Sequence, residues 1–429
     1  MIIEFRAKNY RSLRDEQVFT LEGVSRAGEK EDPRLRKVPG YDAGLLPVAC
    51  FYGGNASGKT NLLSAMAYMR IVVLDSHRAW MPDGGVPRDP FAWGPTRNEP
   101  SVFEITFLIE GVRYQFGFSA TDQAIEEEWL YAWPQGRRQV WYERDGNEFS
   151  FKEHLVGEKK LIQEFTRPNS LFLSAAVQNR HPQLSPIYTW FRSWGVHGVS
   201  VGQRPTIPAI PFSVYQLFEE GRQPTLFDDE WNVDALSEQF LNLVRNADIG
   251  ITDVKVIKND SSEGLRRKSR NLLLKHLSSH DESWLPLEEE SKGTRTIFNL
   301  ALPILRSIHT GTPLLVDELE SSLHPKLAIE IVSLFNNPAR NPHNAQLIFT
   351  THDTNLLGTT IGDPALRRDQ VWLAEKDLEG ASIVYPLTDF TPRKEENLER
   401  GYLQGRYGAI PFLGNFANMR VDEHEQPKS

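Results

Sequence analysis

Gly53-Gly54-Asn55-Ala56-Ser57-Gly58-Lys59-Thr60 follows the short apolar run Pro47-Val48-Ala49-Cys50-Phe51-Tyr52 and precedes Asn61-Leu62-Leu63-Ser64-Ala65-Met66. The octet fits G-x-x-x-x-G-K-[S/T], with a strand pattern before it and an amphipathic helix after it, from about Lys59 to Val73. Gly53 and Gly58 permit the tight backbone in which successive N–H groups, including that of Asn55, point at phosphate oxygens. The helix adds its positive N-terminal end. Lys59 is expected to reach the β- and γ-phosphates and Thr60 to hold Mg²⁺ through its hydroxyl. The implied ligands are ATP and Mg²⁺.

A phosphate loop binds nucleotide, but hydrolysis also needs a carboxylate for the metal and a group that orients water. Leu314-Leu315-Val316-Asp317-Glu318 offers both at the end of a buried strand. Asp317 is expected at the metal and Glu318 at the attacking water. Taken alone, these residues also fit a strand ending in a solvated acidic turn. From Lys59 to Asp317 is 258 residues, so one core must be assembled from two distant segments.

The intervening chain changes character twice. Ile3, Phe5 and Ala7 alternate with polar residues, and Val18 to Leu21 is a second short β-like run. Residues 24–44 read as a loop. Phe103, Ile105, Phe107 and Ile109, then Val112, Tyr114, Phe116 and Phe118, start an antiparallel meander that continues to Phe151. Leu171 to Ser174 is strand-like. Residues 183–290 are Pro-rich with short helical stretches such as Val233 to Val244, and read as a mostly helical insert. Ile297, Leu300, Ala301, Ile304, Leu305 and Ile308 then follow helical spacing. Short strands follow at Pro313 to Val316, Gln346 to Thr350, Gln370 to Ala374 and Ser382 to Leu387.

Composition narrows the class. The chain has 429 residues, 40% of them hydrophobic and 24% charged, which suits a globular protein of two or three domains. A single cysteine, Cys50, excludes an intramolecular disulfide and a multi-cysteine zinc site. No apolar run approaches the ~20 residues of a membrane span. Met1-Ile2-Ile3-Glu4-Phe5 carries no basic leader, so a cytoplasmic location is expected. The net charge of −9 argues against a surface that is basic all over. The densest basic cluster, Arg266, Arg267 and Lys268, remains a candidate for nucleic-acid phosphates or an acidic partner. His276 and His280, four residues apart, could share a helix face, but no third metal ligand is evident.

On these motifs the chain resembles ABC-type ATPases, in the branch that includes the SMC, RecF and OLD proteins. The likeness covers residues 1–180 and 285–390. It implies an α/β, two-lobed P-loop head: a lobe with the phosphate loop and meander (1–182), the helical insert (183–290), a second lobe (291–390) and a C-terminal segment (391–429). In that branch a Ser-x-Gly motif at a helix start, here Ser291-Lys292-Gly293, touches the γ-phosphate held by the opposite protomer. The position of Gln that transporters carry is Thr294 here. Glu320 to Pro325 matches a dimer-contact loop, His352 the switch histidine, Gln178 a metal- and water-contacting glutamine, and Arg11 and Ser12 an N-terminal turn near the nucleotide.

The resemblance therefore implies a homodimer, or a higher oligomer of such dimers, closed by ATP. Gly401-Tyr402-Leu403-Gln404-Gly405-Arg406-Tyr407-Gly408-Ala409-Ile410-Pro411 is similar to the end of RloA-like, abortive-infection ATPases, which act with a separate TOPRIM-like partner. No TOPRIM-type acidic set follows Asp353 in this sequence. The expected function is an anti-phage ATPase switch that controls a separate nuclease effector. The alternatives are a DNA-repair or chromosome-maintenance ATPase that binds DNA directly, and a nucleotide-gated scaffold.

Overall fold

The computed structural model describes residues 1–25, 32–202, 212–219, 233–247, 250–259, 269–280, 282–359, 362, 364–390 and 396–411. Arg266, Arg267 and Lys268 lie outside the described residues, as does the chain beyond 411. The elements run β1 (Ile2–Lys8), β2 (Gln17–Thr20), β3 (Arg36–Val38), β4 (Tyr41–Leu45), β5 (Val48–Tyr52), α1 (Lys59–Asp75), β6 (Ser101–Ile109), β7 (Val112–Ala120), β8 (Ile125–Trp133), β9 (Gln139–Asp145) and β10 (Glu148–Phe151). After them come α2 (Lys160–Phe165), α3 (Phe172–Gln178), α4 (Ser185–Arg192), β11 (Gly195–His197), α5 (Phe212–Phe218), α6 (Val233–Ala247), β12 (Ile251–Asn259), β13 (Ser269–His276) and β14 (Trp284–Pro286). The chain closes with α7 (Lys292–Thr310), β15 (Pro313–Val316), α8 (Pro325–Asn336), β16 (Gln346–Thr350), β17 (Val371–Lys376), β18 (Ser382–Pro386) and α9 (Leu398–Leu403).

The alternating residues of the first third form one antiparallel sheet, ordered β10-β9-β8-β7-β6-β1-β2. The second sheet is ordered β11-β15-β16-β5-β17-β18 and is parallel except for its last pair. Its central strands are buried on both faces, which is why they read as continuous apolar runs. In β5, Ala49 and Phe51 enter the core shared with α1 and the meander, while Val48, Cys50 and Tyr52 enter the core under α7 and α8. β15 and β16 divide likewise, with Leu315 and Ile348 on the first side and Leu314, Val316, Leu347 and Phe349 on the second. The fold is thus mixed α/β, built from a meander lobe and a parallel core, as the sequence implies.

Four details differ from expectation. The stretch 24–44, read as loop, holds all but the last residue of the small hairpin β3–β4. Leu171 to Ser174 enters α3 rather than a strand. The buried Glu128 carboxylate accepts the N–H groups of Phe172 (2.7 Å) and Leu173 (3.0 Å), and so caps that helix from another element. The insert, expected to be mostly helical, pairs α5 and α6 with a three-stranded antiparallel sheet, β12-β13-β14. Val254 and Val256 alternate on β12, and Leu272 and Leu274 on β13, to face those helices. α4 and β11, at the expected start of the insert, belong instead to the core: β11 pairs with β15, and Ile187 and Phe191 pack in the first core.

α7 links the insert to the core. Ile297, Leu300, Ile304 and Ile308 face the parallel sheet, whereas Phe298, Ala301 and Leu302 face the insert. Phe298 meets Phe240 of α6 edge-on at 5.0 Å. Phe298→Ala should cost about 3–5 kcal/mol through the cavity it leaves. Urea unfolding followed by circular dichroism measures that loss.

Candidate nucleotide-binding site

The site forms where β5, β15 and β16 end side by side. Val316 is in register with Phe349, and Phe349 with Cys50. Each strand therefore releases its next residues at the same edge, the usual ligand edge of a parallel sheet. The phosphate loop, Asp317-Glu318 and Thr351-His352 meet there around a cavity of about 490 Å³.

The loop backbone is arranged for an anion. Ala56 (φ 61°) and Gly58 (φ 102°) are both left-handed. A Cβ on Gly58 would also come within 2.0 Å of the Ser382 hydroxyl. No side chain caps α1. Asn61 and Leu62 already donate to the Gly58 carbonyl, so the first N–H groups, those of Lys59 and Thr60, stay available to phosphate oxygens. The Ser57 hydroxyl is buried without a partner. Lys59 is buried, and its ammonium donates to the carbonyls of Gly53 (2.7 Å) and Gly54 (3.1 Å). Burial pulls its pKa down, and the carboxylates of Asp317, Glu320 and Glu318 oppose that.

The metal corner brings the two distant motifs together. The Thr60 hydroxyl donates to the two Asp317 oxygens, at 3.0 and 3.1 Å. Thr350, fully buried, donates its hydroxyl to Asp317 Oδ1 at 2.6 Å and accepts the Glu318 N–H at 2.8 Å. Glu318 itself is exposed at the cavity and has φ 51°. Among the described residues no group of three or more His, Cys, Asp or Glu could hold a metal ion. A hydroxyl and one carboxylate facing a phosphate site do suit Mg²⁺, which takes its remaining ligands from phosphates and water.

His352 Nε2 lies 3.3 Å from the Lys59 ammonium, and the His352 N–H donates to Glu320 Oε1 at 2.6 Å. Burial, then the Lys59 charge, lowers the His352 pKa from its ordinary 6.5, against the opposing pull of Glu320, Glu318 and Asp317, and so favours the neutral ring.

Other expected site residues fall elsewhere. Arg11, in a turn with φ 50°, bonds the Ser64 hydroxyl (3.0 Å) and pairs with Asp89 (3.3 Å). Ser12 accepts from Asn61 (2.6 Å) and from the Ser382 hydroxyl (2.7 Å), and so braces the back of the loop. Neither lines the cavity. Gln178 does not reach the site. It is exposed at the end of α3, a helix tied to the far end of α1 by Leu171–Ser76 and His77–Ser174 hydrogen bonds. That end lies roughly 25 Å from the loop at 1.5 Å per residue. The segment that does approach is His197 to Gly202. The His197 carbonyl accepts the Asp317 N–H (3.0 Å), and the Ser200 carbonyl accepts the Ser64 hydroxyl (2.9 Å).

Ser291 and Gly293 also stand apart from the phosphate loop. Ser291 Oγ accepts the Thr294 N–H at 3.1 Å and caps α7. A Cβ on Gly293 would lie 2.8 Å from the Ser322 carbonyl. Beside them, Lys292, Arg295 and Ser322 line a separate open cavity of about 460 Å³. The preceding Glu290 pairs with His276 at 2.6 Å. His276 lies on β13, so the expected helix shared with His280 does not form. Sequence reasoning missed Thr350 and Lys376, both of which line the nucleotide cavity. Thr350 ends a strand run that was read only for its apolar residues.

Two outcomes test this geometry. Thr350→Val should lower turnover about tenfold or more through the loosened Asp317–Glu318 turn, while nucleotide affinity changes less; steady-state kinetics and calorimetry separate the two effects. In Lys59→Ala the His352 pKa should rise, because a neighbouring positive charge is gone; an NMR titration of the ring reads it.

Residues 48–358 match the family described as AAA domain, putative AbiEii toxin, Type IV TA system. Comparison with curated protein sequences gives no match. Solved structures similar to the chain include an SMC head bound to the C-winged helix domain of ScpA, at 15% identity over 90% of this chain and 97% of that one, with a TM-score of 0.44. The SMC head domain from Thermotoga maritima is 12% identical over 90% and 98%, with a TM-score of 0.39. An SMC head with an extended coiled coil, bound to the C-terminal domain of ScpA and derived from Pyrococcus furiosus, is 13% identical over 94% and 98%, with a TM-score of 0.39.

Proposed function

The chain belongs to that AAA-domain family, and on that premise we propose that it is a Mg²⁺-dependent ATPase working as a nucleotide-controlled dimerisation switch. The observation that carries the reading is the Thr60–Asp317 contact, which joins the two halves of the site across 257 residues. Thr60 and Asp317 would hold Mg²⁺, which when bound neutralises charge on the β- and γ-phosphate oxygens. The N–H groups of the loop and the start of α1 would hold the β-phosphate. Lys59 would exchange its carbonyl partners for β- and γ-oxygens, a stronger, charge-assisted pairing. Glu318 would orient the attacking water and take its proton, with its backbone fixed by Thr350. His352, whose backbone N–H is held by Glu320, would donate a ring N–H to a γ-phosphate oxygen.

The separation of Ser291 and Gly293 from the loop supports a composite site. The start of α7 lies away from the phosphate loop of its own chain, so a second copy would present it to the γ-phosphate. Binding of ATP would then close the dimer, and loss of the γ-phosphate would release it. The family description includes a putative toxin of a type IV toxin–antitoxin system. That favours an abortive-infection setting; a separate TOPRIM-like effector would follow from the likeness of Gly401 to Pro411 to the end of RloA-like ATPases. No helix among the described residues is long and apolar enough to cross a membrane.

Lys59→Ala should weaken ATP binding by more than about 100-fold in calorimetry, the scale of lost buried charge-assisted contacts. Unchanged affinity would defeat the site. Glu318→Gln should bind ATP, lose roughly 100-fold or more in turnover, and sediment as a dimer with ATP but not with ADP. Parental turnover in that variant would remove Glu318 from the chemistry, and a monomer under ATP would remove the switch.

A further inference from the structure

The segment Gly401 to Pro411 has no task in the chemistry above, yet it is packed against the phosphate loop. It comprises the end of α9 and the turn after it. At its far end the backbone closes on the loop: a Cβ on Gly54 would lie 3.0 Å from Pro411 Cα and 3.1 Å from Pro411 N. Tyr402 is only 7% exposed. Its ring meets Tyr52 edge-on at 5.4 Å, and its hydroxyl donates to the Ala409 carbonyl at 3.2 Å. The Gly53 backbone N–H faces the Tyr402 hydroxyl oxygen.

Two further bonds pin the segment, and a third ties α9 just ahead of it to the His352 loop. Ala409 N–H donates to Glu375 Oε2 at 3.1 Å, next to Lys376. Tyr385 donates to the Tyr407 carbonyl at 3.0 Å. Thr354, two residues past His352, donates to Glu399 Oε1 at 3.0 Å. Gly408 (φ 69°) makes the turn fit, because a Cβ there would lie 2.6 Å from the Tyr385 hydroxyl and 2.7 Å from Glu375 Oε2.

We propose that residues 401–411 form a strap that sets the position of Gly53-Gly54, and that Tyr402 is a positioning residue for triphosphate binding. The proposal rests on reading this cavity as the nucleotide site. Gly53 and Gly54 have no side chains with which to anchor themselves, and an unbraced loop would lose its freedom at the moment of binding. A docked strap removes part of that cost in advance. By linkage, nucleotide must then tighten the strap in return. The strap also touches the Lys376 strand, and Glu399 just ahead of it bonds the His352 loop, so strap and α9 together join three walls of one cavity.

The test uses the full chain and Mg-ADP. Hydrogen exchange of peptides covering 398–411 should slow by about fivefold or more on binding, a reciprocal effect that a purely structural role would not give. Tyr402→Ala should raise the calorimetric Kd about tenfold, and the ATPase KM with it, while kcat stays within about twofold. Tyr402→Phe, which keeps the ring on Tyr52, should recover part of the loss. If Tyr402→Ala fails to fold, Glu375→Ala, which removes only the acceptor of the Ala409 N–H, is read in its place and should raise the Kd in the same direction. Normal Mg-ADP binding by the parent, with unchanged strap exchange and variant Kd values within twofold of it, sinks the strap alone. A parent that binds no Mg-ADP sinks the nucleotide reading and the strap together.

Discussion

Everything at the candidate site depends on the parallel pairing of β15, β16 and β5. These three strands come from opposite ends of the chain, and their register leaves Val316, Thr350 and Tyr52 at one edge. A slip by one residue would turn the alternate side chains to the other face and exchange the two cores. Both faces are apolar and filled, by α1 and the meander on one side and by α7 and α8 on the other. The register is therefore held by packing from both directions, and the polar residues that follow each strand inherit their positions from it.

The resulting site is a balance of buried charge. Lys59 sits in a cleft that penalises its ammonium, and three acidic side chains offset the penalty. Thr350 fixes both halves of the acidic pair by one hydroxyl that donates to Asp317 and accepts from Glu318. Removing either bond leaves a buried polar group short of a partner, which costs more than an exposed hydrogen bond is worth. Under the proposed function, Lys59 would leave its two backbone carbonyls for a triphosphate by exchange of partners, without new folding.

The motifs that carry chemistry were legible because phosphate binding imposes a local pattern. The glycines, Lys59 and Thr60 must be adjacent for their N–H groups and side chains to converge, so they appear as one octet. Asp317 and Glu318 were legible because they end a run that only a buried parallel strand explains. Gln178 was misplaced because Leu171 to Ala176 is apolar but for Ser174 and buried throughout, and such a run does not distinguish a strand from a buried helix. What decided it was the Glu128 carboxylate, which lies far away in sequence. The insert's strands were hidden for another reason: Lys255 and Lys258 break up Val254, Val256 and Ile257 in a stretch flanked by charged and polar residues.

By itself the sequence determined the local chemistry, namely the anion-binding turn, the acidic strand end, the meander and the helical period of α7. Those features depend on neighbours within a few residues, where backbone geometry and side-chain spacing act directly. Only the tertiary structure decided that Thr60 meets Asp317, that Ser12 braces the loop instead of lining the cavity, and that Gly401 to Pro411 returns to Gly54. Such contacts cross tens to hundreds of residues. They are set by which apolar faces bury one another, a property of the whole packed core that no short stretch of residues encodes.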